Sequence, residues 1–199
     1  MSVDAKTVKE LRDKTGAGMM DCKAALAETG GDMDKAVDFL RTKGLAAAKK
    51  KAGRATNEGL VFSYIHPGGK VGVLVEIACE TDFVARTDDF QNFCKDVAMH
   101  VAAASPVALD REAVPAEVVE HEKEIAKQTA IEEGKPEKVI DKIVTGRVDK
   151  YYKENCLLEQ AFVKDPNMTV KDLLDSTIGA LGENMSIRRF ARFQLGEEL

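Results

Sequence analysis

At 199 residues the chain is long enough for one sizeable hydrophobic core and a smaller added module. Hydrophobic residues make up 44% and charged residues 32%, as in an ordinary folded protein, and 34 acidic against 29 basic side chains leave a net charge of -5, which argues against a surface built for phosphate backbones. No apolar run approaches the roughly 18 residues of a membrane span, the N-terminus lacks the shape of a signal peptide, and Cys22, Cys79, Cys94 and Cys156 form no Cys-x-x-Cys pair, so the reading is a cytoplasmic protein with free thiols and neither metal nor cofactor.

Residues 1–52 read as three short helices with apolar stripes at Val8 and Leu11, at Cys22, Ala25 and Leu26, and at Met33, Ala36, Val37 and Leu40. Gly16-Ala17-Gly18 turns the chain between the first two, Gly30-Gly31 ends the second, and Asp32 can cap the third. The second helix opens on Met19 and Met20. Neighbours on a helix point about 100° apart, so both cannot enter a small core. The stretch 46–56 is basic and rich in small residues, and it reads as a linker able to be helical in its first half. It has no aromatic residue to stack a base, so its charge reads as a solvated face and not as an RNA site.

From Leu60 the texture becomes strand-like. Leu60–Ile65 and Val71–Ile77 form a hairpin across His66-Pro67-Gly68-Gly69-Lys70, and Ser186–Leu195 is a third strand able to pair with it. A helix over 88–104 places Phe90, Phe93, Cys94, Val97, Ala98, Val101 and Ala102 on one stripe, suited to covering a sheet face. His100 falls on the flank of that stripe, at the border of core and solvent, and Met99 nearly opposite it. Residues 116–133 and 137–153 read as two helices joined by Glu133-Gly134-Lys135-Pro136, a charged projecting arm whose apolar positions are thin on the first helix (Val118, Ile125) and richer on the second (Ile140, Ile143, Val144, Val148, Tyr151). The fold class is therefore α+β: a helical bundle over 1–52, then an antiparallel sheet covered by helices over 53–199, with the arm at about 116–153.

The familiar catalytic patterns fail on inspection. Gly16-x-Gly18 follows a helix where a dinucleotide fingerprint needs a strand, and Gly134-Lys135 lacks the upstream glycine of a phosphate loop. His121-Glu122 has Ile125 where a zinc peptidase needs its second histidine, and no serine sits in a Gly-x-Ser-x-Gly elbow. These readings point away from an enzyme.

What stands out is Cys79-Glu80-Thr81-Asp82-Phe83-Val84-Ala85-Arg86, where an apolar strand stops, a helix starts, and an aromatic lies beside a carboxylate. Spacing alone favours Asp82 as a cap with Phe83 packed over the first turn, against a presented Phe83. Taken with the segment from Leu11 to Lys23 that holds Met19-Met20, and with Ala98-Met99-His100-Val101-Ala102-Ala103, the chain resembles the bacterial elongation factor Ts family over nearly its whole length. That resemblance implies a nucleotide exchange factor of elongation factor Tu, with an N-terminal bundle similar to a ubiquitin-associated domain and a coiled-coil arm. By the same likeness Thr81, Asp82, Phe83 and Val84 would meet the partner near its magnesium and phosphate site, with Phe83 as a wedge. Arg12, Met19 and Met20 would hold a helix of the same GTPase domain, and His100 would help displace elements near its phosphate loop. A single hairpin matches the short form of the family, which implies a homodimer joined through the single-sheet core. The rival reading is a non-enzymatic helical adaptor that binds partners through residues 1–52 alone.

Overall fold

In the computed structural model, which describes residues 3–197, the elements run α1 (Ala5–Thr15), α2 (Met19–Glu28), α3 (Met33–Lys51), β1 (Glu58–Ile65), β2 (Val71–Cys79), α4 (Asp82–Ala85), α5 (Asp88–Ala104), α6 (Ala116–Glu132), α7 (Glu137–Asn155), a single 3-10 turn (Leu157–Glu159), β3 (Ala161–Phe162), β4 (Asp165–Thr169), α8 (Val170–Leu181) and β5 (Met185–Gln194). The architecture is α+β. Among the described residues no helix is long and apolar enough to cross a membrane.

The first helices begin and end where local chemistry dictates. Gly16 closes α1 at a φ of 67°, and its N–H bonds the Arg12 carbonyl at 2.8 Å. The Asp32 carboxylate accepts the Lys35 amide at 3.0 Å and caps α3. Val8, Leu11, Cys22, Ala25, Leu26, Ala36 and Leu40 bury themselves together, with Met33 and Val37 half-buried at the margin.

Helix α3 takes in the first half of the expected linker. It runs on to Lys51, because Ala46, Ala47 and Ala48 are strong helix formers and Lys49, Lys50 and Lys51 complement the negative end of the helix dipole. Its second half also has something to pack on. A Cβ at Gly44 would lie 3.3 Å from the Ser176 Cα, and one at Gly179 would lie 3.1 Å from the Gly44 Cα, so α3 and α8 meet backbone to backbone. Arg41 on α3 reaches Asp172 on α8 at 2.7 Å. Helix α8 itself, with Val170, Leu174 and Ile178 buried, was not anticipated from the sequence, and neither was the small β3–β4 pair.

The main sheet has the order β1-β2-β5, all antiparallel, with Ile65 opposite Gly72 and Cys79 opposite Met185. Val73, Val75 and Ile77 of β2 are buried on one face, and every residue of the anticipated α5 stripe is buried too. All four cysteines are free and buried. Burial pushes the Cys94 thiol up to about 12, and nearby Cys79 pushes it the same way.

Contacts divide the chain into two bodies, one made of the residues up to Met99 with those from Lys171 onward, the other His100–Val170. In the second body α6 and α7 pair through Ala126, Ala130, Ile140 and Val148. Ile125, one of the two apolar positions expected on the first arm, is 47% exposed, while Ala126 and Ala130 take the buried side of α6.

Candidate partner-binding site

Strand β2 ends at Cys79, and the backbone passes through extended Thr81 into the four residues of α4. Thr81, not Asp82, is the cap. Its Oγ1 accepts the Val84 amide at 3.3 Å, while Asp82 lies within the first turn and pairs with Arg86 at 2.8 Å. Val84 and Ala85 are buried and anchor the turn, and that rotation directs Phe83 outward. Phe83 is 78% exposed, so the packed alternative that spacing favoured is corrected. An exposed phenylalanine on a short, anchored helix is an unusual use of apolar surface in a protein able to bury its aromatics.

The turn before Phe83 is fixed from the far end of the chain. Glu183, between α8 and β5, accepts the Glu80 amide at 3.2 Å and the Thr81 amide at 3.0 Å on one oxygen, and the Thr81 hydroxyl at 2.6 Å on the other. Glu80 answers in kind, its carboxylate accepting the Asn184 amide at 2.6 Å and meeting Arg54 at 3.4 Å. Asn184 also donates to the Arg54 carbonyl at 2.7 Å. Sequence reasoning missed Glu183, Asn184 and Arg54, because nothing in a local pattern marks a partner more than a hundred residues away.

Arg12, Met19 and Met20 form a second exposed group at the α1–α2 turn. Cys22, Ala25 and Leu26 take the inward positions of α2, which leaves Met19 half-exposed and Met20 at 76%. Flexible, polarizable methionines on a surface suit adaptable contact with a partner helix.

Two residues expected at the partner surface lie elsewhere. Val84 is on the buried side of α4, and His100 is fully buried instead of sitting at the border of core and solvent. The β3–β4 pair, invisible to helical periodicity, covers the flank on which His100 lies. The Val163 amide donates to His100 Nδ1 at 3.3 Å, and His100 Nε2 donates to Gln160 Oε1 at 2.9 Å. Gln160 in turn donates to the Glu154 carbonyl at 2.7 Å. Because an amide N–H can only donate, Nδ1 carries no proton and the ring is neutral.

Burial lowers the His100 pKa below its ordinary 6.5, with the Gln160 hydrogen bond opposing the shift. The unfolded chain therefore takes up a proton in a range where the native chain does not. His100's contribution to stability is complete above about pH 6.5 and is lost as the pH falls from there through the lowered native value. Urea melts between pH 7.5 and 5.5 should show stability falling on acidification, with a shallower fall in His100→Gln. Parallel slopes in the two proteins would contradict this account.

The elongation factor TS family model matches residues 45–197, which hold α4 and its exposed Phe83. The chain belongs to the elongation factor Ts family. It is 63% identical over 195 residues to elongation factor Ts of Thermoanaerobacter sp. (strain X514), covering 98% of this chain and 96% of that protein. It is 64% identical over 199 residues to elongation factor Ts of Geobacter sulfurreducens, covering 100% and 92%. The relative from Caldanaerobacter subterraneus subsp. tengcongensis is 63% identical over 195 residues, 98% of each chain. The region common to the elongation factor Ts model takes in Thr81–Val84 and His100, and similarity to the whole-length relatives extends to the bundle that carries Arg12, Met19 and Met20.

Proposed function

We propose that this protein binds elongation factor Tu in its GDP-bound form and promotes release of GDP, so that GTP can rebind. The observation that carries the reading is Phe83, exposed at the tip of an anchored turn in a chain of the elongation factor Ts family. Exchange breaks no bond. By linkage the factor must bind the nucleotide-free GTPase more tightly than the GDP complex, and the nucleotide weakens the factor by the same ratio. Phe83, inserted beside the magnesium and phosphate site with Asp82 next to it to redirect hydrogen bonds, supplies a contact available only in the opened partner. Arg12, Met19 and Met20, on a docking module of residues 1–52, hold the same domain of the partner while the core over 53–199 presents Phe83. Val84 and His100 act from behind, as packing. Release of a fluorescent GDP from elongation factor Tu, followed with and without this protein, tests the reading. An unchanged release rate at saturating protein would overturn it.

A homodimer belongs to the same reading. Val61, Glu76 and Arg189 lie in one row across the sheet, Ser63, Leu74 and Ala191 in the next, and Ile65, Gly72 and Phe193 in the third, so all share one face. Val61, Ile65, Leu74 and Phe193 are each at least 45% exposed there, an apolar area of the kind that pairs with a copy of itself about a two-fold axis. Sedimentation equilibrium at micromolar concentration should give about twice the chain mass of 21.7 kDa. Leu74→Glu, which puts a like charge against itself at the centre of that face, should return the protein to a monomer. A parent that stays monomeric at high concentration would remove the proposal.

A further inference from the structure

We infer that Glu183 is a positioning residue for nucleotide exchange: its carboxylate, by holding the Glu80–Thr81 backbone and the Thr81 hydroxyl, sets the direction in which Phe83 is presented. This rests on the proposed role of Phe83 and adds to it the group that makes the role possible. A helix of four residues has too few internal hydrogen bonds to hold its own orientation. The direction of Phe83 must therefore come from outside α4, and the hydrogen bonds supply the chain of cause. Glu183 accepts the two amides at 3.2 and 3.0 Å and the Thr81 hydroxyl at 2.6 Å. That hydroxyl gives its proton to Glu183, which leaves its oxygen lone pairs free to accept the Val84 amide at 3.3 Å. One carboxylate thus fixes both the entry of the chain into α4 and the cap that starts it.

The clamp is braced on its other side. Glu80 binds the Asn184 amide at 2.6 Å, so the two loops exchange carboxylate-to-amide bonds just beyond the point where Cys79 pairs with Met185. Ionised acceptors make shorter and stronger bonds than neutral ones, which suits a joint that must stay rigid when the side chain it carries pushes into another protein. None of these groups needs to touch the partner. Their effect is spent through Phe83.

A double-mutant cycle read by fluorescent-GDP release from elongation factor Tu tests this, using the full chain at a temperature where circular dichroism shows every variant folded. Glu183→Ala should lower the release rate at saturating protein by about tenfold, with a much smaller change in the half-saturating concentration, since the exposed Arg12, Met19 and Met20 are untouched. Glu183→Gln, which keeps a carbonyl oxygen for the two amides, should lose less. In a Phe83→Ala background Glu183→Ala should have no further effect, because a positioning group has nothing left to position. Hydrogen exchange on the free protein should show faster exchange of the Thr81 and Val84 amides in Glu183→Ala. Independent, additive losses would overturn the inference by giving Glu183 a contact of its own, and so would a folded Glu183→Ala that exchanges nucleotide at the parent rate. If Glu183→Ala does not fold, Glu183→Gln carries the cycle. Should Phe83→Ala alone leave release unchanged, the role of Phe83 itself is what fails.

Discussion

Phe83→Ala is expected to slow GDP release from elongation factor Tu by at least about thirtyfold while leaving the melting temperature within about 2 °C of the parent. The two halves of that expectation come from the same observation. With 78% of its surface in solvent, Phe83 contributes little to the fold, and truncations at such positions fall within about 0.5 kcal/mol. A buried aromatic would cost about 3–5 kcal/mol. Aromatic anchors that fill a partner's pocket cost about 2–4 kcal/mol of binding when cut to alanine, and for a wedge that cost is felt mainly in the opened, nucleotide-free complex. Melting and release measured on one preparation separate the cases. A variant that melts far earlier but exchanges nucleotide normally would make Phe83 a packing residue.

Gly59→Ala should be the most damaging single methyl group in the sheet. Gly59 lies in β1 opposite Ala78 with a φ of 141°, and a Cβ there would collide with the Ile77 carbonyl oxygen and stand 2.7 Å from the Ala78 Cα. Both are backbone atoms of β2, the central strand, and cannot step aside as a flexible side chain would. We expect a loss on the order of 3 kcal/mol, or roughly 6–12 °C in melting temperature. Gly68→Ala is the control. Its φ is 93°, yet nothing lies within 4 Å of the added methyl, so only conformational strain of about 1 kcal/mol remains. Equal losses in the two variants would show that backbone conformation, not collision, governs both sites.

Which positions share a face is written in the local chain. The spacings that put Val8 with Leu11, Cys22 with Ala25 and Leu26, and Phe90 with Phe93, Cys94 and Val97 are those the structure buries, because helical period is a property of the local chain. The hairpin, its third strand and the outward methionines follow from equally local rules of alternation, turn chemistry and angular separation. What covers each face depends on distant parts of the chain. The second half of α3 packs at Gly44 because α8, some 130 residues on, offers Gly179 to pack against. His100 is neutral and buried because β3 and β4 close over it. Phe83 points to solvent because Val84 and Ala85 take the buried side of α4 while Glu183 fixes its first turn. A periodicity says that a side chain lies on a stripe or beside it, but burial and orientation depend on atoms brought in from elsewhere in the chain, and no local pattern carries their positions.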